Sequence, residues 1–159
     1  MKVTILAVGK IKEKYFTLAI EEYVKRLQKF AKVNIIELND EKAPENLSLS
    51  QTATIKKLEG RRVLKNIGPD GFVFALEISG AKYTSEGFAE LISAKKLSGY
   101  SHFYFIIGGS LGLSKEVLDR ADLKISFSDM TFPHQLMRVI LLEQIYRAHK
   151  ICANEPYHK

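Results

Sequence analysis

Two stretches decide the fold: Phe103-Tyr104-Phe105-Ile106-Ile107-Gly108-Gly109-Ser110-Leu111-Gly112, and Ser126-Phe127-Ser128-Asp129-Met130-Thr131-Phe132-Pro133-His134-Gln135-Leu136-Met137-Arg138. The first reads as a buried strand that breaks into bare backbone. Its apolar run has no polar alternation, which suits a strand covered on both faces. The second reads as a strand end, a short loop, and a helix starting at Pro133, where a missing N–H costs nothing. Two strand ends opening into loops mark the edge at which open α/β sheets bind ligands.

Working outward, the same alternation of strands and helices fills the chain. Val3–Val8 is an apolar, β-branched run ending at Gly9. From Glu13 to Phe30, Phe16, Ala19, Ile20, Tyr23, Val24, Leu27 and Phe30 recur at three- and four-residue steps, predicting an amphipathic helix. Val33–Leu38 is a second strand, and the polar stretch after it, with Pro44, is a loop. Ser50 is a candidate cap for a helix over 51–66 that Gly60 interrupts. The basic residues of that helix (Lys56, Lys57, Arg61, Arg62, Lys65) suit a solvated face or an RNA-facing surface. Phe72–Leu76 predicts a third strand, Thr84 or Ser85 starts a helix to about Leu97, and His102–Ile107 is the fourth strand. A short helix over Ser114–Arg120, a strand over Leu123–Phe127 and a long helix over Pro133–Ile151 complete the chain. The expected fold is α/β: one domain over 1–159, with a parallel sheet between helices on both faces.

Composition narrows the function classes. The chain has 159 residues and a net charge of +6, which suits a polyanionic partner or simply a Lys-rich surface. Its one cysteine, Cys152, cannot form an internal disulfide, so a reducing compartment is expected. The apolar run Val3–Val8 is too short for a signal-peptide core, and no segment approaches the ~20 apolar residues of a membrane span. The expectation is a cytoplasmic protein without membrane contact.

Three strand ends carry the candidate chemistry: Leu76-Glu77, Gly108-Gly109 and Phe127-Ser128. In a parallel sheet they share one edge, so their loops can converge on one pocket. A Gly-Gly pair taken alone also suits a plain turn before a helix capped by Ser114. A dinucleotide fingerprint is excluded by position, because the first strand ends in Gly9-Lys10-Ile11. No phosphate-binding G-x-x-x-x-G-K-[ST] and no G-x-S-x-G elbow is present. His102, His134, His149 and His158 lack metal-ligand spacing, so no metal is expected. His134 and Arg138 are four apart on one helix face, as are Glu143 and Arg147. The final helix is apolar over more than one face, which suggests burial against the sheet and a second subunit, or simply a central core position. The tail Tyr157-His158-Lys159 offers stacking, proton transfer and phosphate contact if it folds over the pocket.

At these residues the chain resembles a known family. Ile106-Ile107-Gly108-Gly109-Ser110-x-Gly112, Ser126-Phe127-Ser128-x-Met130-Thr131-Phe132-Pro133-His134-Gln135, Met137-Arg138-Val139, Glu143-Gln144-x-Tyr146-Arg147-Ala148 and Tyr157-His158-Lys159 are similar to the RlmH family, SPOUT-class 23S rRNA pseudouridine N3-methyltransferases. Met1–Lys10 and Asp40–Glu45 also match, so the resemblance spans essentially the whole chain. It implies a deep trefoil knot in the C-terminal half, a homodimer, and S-adenosylmethionine as cofactor. The implied cofactor contacts are Leu76, Gly108, Phe127, Ser128, Asp129, Met130, Thr131 and Phe132. The implied substrate is a pseudouridine in a 23S rRNA stem-loop, methylated on assembled ribosomes. His134, Arg138, Tyr157 and His158 are expected on the substrate side, with His158 handling the N3 proton, Tyr157 stacking on the base and Arg138 contacting phosphate or base. A tRNA methyltransferase of similar fold and a non-catalytic RNA-binding protein are the alternatives.

Overall fold

In the computed structural model, which describes residues 1–158, five strands form one parallel sheet. Its order is β2 (Lys32–Leu38), β1 (Lys2–Val8), β4 (His102–Ile107), β3 (Phe72–Lys82), β5 (Leu123–Ser126). Five helices complete the fold: α1 (Lys14–Leu27), α2 (Leu49–Leu64), α3 (Ser85–Leu97), α4 (Lys115–Arg120) and α5 (His134–Cys152).

The two-residue period of the strands divides the core in two. Val3, Ile5 and Ala7 of β1, Phe72 and Phe74 of β3, and Phe103, Phe105 and Ile107 of β4 point to one face. There they meet Ile20 and Leu27 of α1, Phe88 and Ile92 of α3, and Leu141, Leu142 and Ile145 of α5. Leu6, Val8, Val73, Ala75, Tyr104 and Ile106 point the other way, onto Val63 of α2 and Val117 of α4. The result is a three-layer sandwich, which explains why β1, β3 and β4 read as continuous apolar runs. The aromatic centre of the larger layer is a stack of Phe74 on Phe105, with ring centroids 4.7 Å apart and planes 6° from parallel.

The helix starts differ from the sequence reading in two places. Ser48, not Ser50, caps α2: its hydroxyl accepts the Gln51 N–H, while the Gln51 side chain accepts the Ser48 N–H. Pro133 stands one position before α5 rather than in its first turn, with its carbonyl accepting the Met137 N–H at 2.9 Å. Gly60 does not interrupt α2. A β-carbon there would lie 2.4 Å from Ser114 Oγ, so glycine is what lets α2 close on the start of α4.

β3 also runs beyond the predicted Leu76. Leu76 and Ala81 both register with Ile125 of β5, so residues 77–80 bulge out of the ladder. A β-carbon on Gly80 would lie 2.7 Å from the Ile125 backbone, a contact only glycine permits. The bulge carries Glu77 and Ile78 towards the end of the sheet at which β4 and β5 also finish. Among the described residues, no helix is long and apolar enough to cross a membrane.

Candidate functional site

A cleft of about 390 Å³ opens at the C-terminal ends of β3, β4 and β5. Each loop contributes one wall: Leu76, Glu77 and Ile78 from β3; Gly108 to Leu113 after β4; and Phe127, Ser128, Met130, Thr131 and Phe132 after β5. The volume falls within the range of small-molecule sites. Leu76, Ile78, Leu111, Phe127 and Phe132 make much of its lining apolar, and Glu77, Ser128 and Thr131 supply polar groups.

Local chemistry holds these loops. Gly112 has φ +83°, in the region that penalises a side chain, and its N–H closes a tight turn onto the Gly109 carbonyl at 3.0 Å. A β-carbon on Gly108 would lie 3.0 Å from the Gly112 carbonyl carbon, a tight contact that bare backbone avoids as the loop folds on itself. After β5, Ser126 Oγ donates to the Ser128 carbonyl and Ser128 Oγ accepts the Met130 N–H, each at 3.0 Å. Asp129 turns outward from this loop to pair with Lys82 at the end of β3.

The structure thus brings together seven of the eight expected cofactor contacts; Asp129 is the one outside the cleft lining. Of the four residues expected on the substrate side, His134 alone lines the cleft. Burial, reinforced by the nearby Arg138 cation, holds the His134 imidazole below the ordinary histidine range, while Asp40 opposes this. At neutral pH its ring is therefore uncharged and able to accept a proton.

Arg138 is 1% exposed and turned beneath the end of β1. Nη1 donates to Glu37 Oε1 at 2.6 Å and Nη2 to the Gly9 carbonyl at 2.8 Å. A direct contact with substrate phosphate would require it to leave these partners. Tyr157 and His158 sit away from the cleft, over α5 and the start of α3. Tyr157 Oη donates to Glu143 Oε1 at 3.1 Å. Burial, then Tyr23 and Glu143, push its phenol well above the usual range, so it stays protonated. Arg147 Nη1 lies 3.1 Å from His158 Nδ1, and Glu86 Oε1 lies 2.6 Å from His158 Nε2. Because the guanidinium only donates, Nδ1 accepts and Nε2 carries the hydrogen towards Glu86. Lys159 lies outside the described residues.

Sequence reasoning missed Glu37 and Glu59. Glu37 Oε1 also accepts the Ile11 N–H at 2.9 Å, so one carboxylate braces both the loop after β1 and Arg138. Glu59 is buried on α2 beside the glycine loop. The only signal for either was an acidic residue within an otherwise apolar or basic run. Among the described residues, no group of three or more His, Cys, Asp or Glu is placed to hold a metal ion.

Comparison with known proteins places the chain in a family. A family model described as predicted SPOUT methyltransferase matches residues 1–158. The chain is 58% identical to proteins named ribosomal RNA large subunit methyltransferase H from Carboxydothermus hydrogenoformans and from Clostridium novyi, over 159 residues and the full length of both partners. A protein of the same name from Alkaliphilus oremlandii is 55% identical over the same span. The fold, the cleft at the strand ends and this full-length similarity converge: the chain is a methyltransferase and belongs to the SPOUT methyltransferase family, alongside the RlmH proteins.

Proposed function

We propose that the protein transfers a methyl group from S-adenosylmethionine to N3 of a pseudouridine in a stem-loop of 23S rRNA, on assembled ribosomes. The observation that carries this reading is the meeting of three strand-end loops around one largely apolar cleft with bare glycine backbone. Its chemistry fits the cofactor. Leu76, Ile78 and Phe127 offer apolar surface to a flat adenine, and Glu77 can accept hydrogen bonds from ribose hydroxyls or an ammonium. Ser128 and Thr131 offer hydroxyls. Bound there, the cofactor supplies a methyl group made electrophilic by its sulfonium.

The chain's own task is to present the base in line with that methyl and to take the N3 proton. His134 lies at the cleft with a ring that is neutral at physiological pH. His158 is the second proton acceptor, available once it leaves Glu86 and Arg147, and Tyr157 beside it offers a stacking face. Arg138 serves from below, fixing the turn after β1, which is tied to the first turn of α5 through Lys12 and Gln135. The relatives' names favour large-subunit rRNA over tRNA as substrate. The whole chain acting as one domain, a homodimer formed through α5, a cytoplasmic location and a trefoil-knotted C-terminal half belong to the same proposal. Calorimetry with S-adenosylmethionine, followed by methyl transfer to assembled ribosomes, tests it. Absence of binding removes the cofactor assignment. Binding with methylation of tRNA instead removes the substrate assignment.

A further inference from the structure

A carboxylate enclosed between packed elements is costly to keep, because an ion taken out of water must be repaid by hydrogen bonds or a partner. Glu59 of α2 is in that position, at 5% exposure. Its Oε1 accepts the Glu41 N–H at 2.9 Å, which ties down the loop between β2 and α2. Its Oε2 faces the glycine loop: a β-carbon built on Gly109 would lie 3.0 Å from that oxygen and 3.1 Å from Val8 Cγ1. Gly60, the next residue, explains how the carboxylate gets so close. With no side chain there, α2 seats directly against Ser114, which caps α4 after the glycine loop, and Val117 in its first turn. Burial is also the main force raising the Glu59 carboxyl above its ordinary range. Asp40 and Glu41 add to it, and the Glu41 amide and Arg62 oppose it. Arg62 in turn pairs with Glu41.

We infer that Glu59 is a positioning residue for the cofactor cleft: its carboxylate, anchored to the β2–α2 loop by the Glu41 N–H, packs against Gly109 and so sets the height of the glycine loop in the cleft wall. Glu59 does not line the cleft and acts only through Gly109. This inference rests on reading the cleft as the S-adenosylmethionine site, and its test separates the two.

The variants are Glu59→Ala and Glu59→Gln; glutamine keeps a carbonyl oxygen for the Glu41 N–H. Backbone hydrogen exchange in the ligand-free proteins reads loop position, and calorimetry with S-adenosylmethionine reads its consequence. In Glu59→Ala, amides of residues 108–113 should exchange about tenfold faster while those of α1 and α5 stay as in the unaltered protein. Its dissociation constant for S-adenosylmethionine should rise about tenfold. Glu59→Gln should stay within about threefold of the unaltered protein on both measures. Exchange at 108–113 that is unchanged in Glu59→Ala, or faster by the same factor throughout the fold, overturns the inference. Loosening confined to 108–113 in a protein that never binds S-adenosylmethionine upholds the positioning of the loop and overturns the cofactor reading instead.

Discussion

Arg138 and Glu37 are joined across the end of β1: the guanidinium Nη1 donates to the carboxylate at 2.6 Å, with the arginine almost wholly enclosed. The same guanidinium reaches the Gly9 carbonyl, so the pair locks the turn after β1, whose Lys12 N–H donates to Gln135 in the first turn of α5. Removing Arg138 strands Glu37, but that carboxylate keeps 34% of its side chain in solvent, so the cost is that of lost charged hydrogen bonds, about 1.5–3 kcal/mol, rather than of a fully buried charge. Arg138→Ala should therefore lose roughly that much stability in urea unfolding, a structural penalty beyond any loss of substrate contact. A loss below about 1 kcal/mol would show that the pair does not brace the fold.

Gly60 yields a second test. Alanine at this helical position would ordinarily stabilise by up to about 1 kcal/mol. Here its β-carbon collides with Ser114 Oγ, so α2 must move away from α4. Gly60→Ala should destabilise by about 1–3 kcal/mol, read by thermal or chemical unfolding. A stabilised variant would contradict the close packing of α2 on α4.

His149 sets a pH dependence. Its ring stacks on Phe30 at 5.2 Å, and its Nε2 is buried with no hydrogen-bond partner among the described residues. Burial, with help from Lys96 and the N-terminal amine, lowers its pKa to about 4. The unfolded chain protonates His149 at an ordinary pKa near 6.5, so between the two values it binds more protons than the folded chain. Stability is therefore fully present above about pH 6.5 and falls as pH drops towards 4, by up to the order of 3 kcal/mol. Unfolding free energies measured from pH 7 to pH 4 should show a slope that His149→Phe reduces. An identical slope in the variant would exclude His149 as its source.

The loop after β5 gives a fourth test. Phe127 lines the cleft and also packs on Phe88, with centroids 6.3 Å apart. Phe127→Ala should weaken S-adenosylmethionine binding by about 1–3 kcal/mol, and Asp129→Ala, whose side chain faces Lys82 and solvent, by less than about 0.5 kcal/mol. Equal losses in calorimetry would mean that the resemblance locates the contacts and that the cleft geometry does not rank them.

Much of this was legible in the chain because it depends on local pattern. The apolar runs of β1 and β4 and the three-residue and four-residue steps of α1 predict the layers. Glycine and serine at the strand ends predict the edge on which the cleft opens. What stayed hidden depends on contacts distant in sequence. Gly60 looks like a helix breaker until α4 is packed against it. The extension of β3 to Lys82 follows from a bulge paired to Ile125, which no run of β3 itself announces. Arg138 looks like a surface cation at helical spacing from His134, and only the arrival of Glu37, 101 residues away, encloses it. The four substrate-side candidates share chemistry rather than position, and the single chain places only His134 at the cleft.

The most direct measurement is methyl transfer from labelled S-adenosylmethionine to assembled ribosomes taken from a strain lacking this protein, with the product mapped by mass spectrometry of the rRNA. The expected product carries one methyl group per ribosome, on N3 of a pseudouridine in a 23S rRNA stem-loop. Label absent from 23S rRNA, or carried on any base other than a pseudouridine, would contradict it.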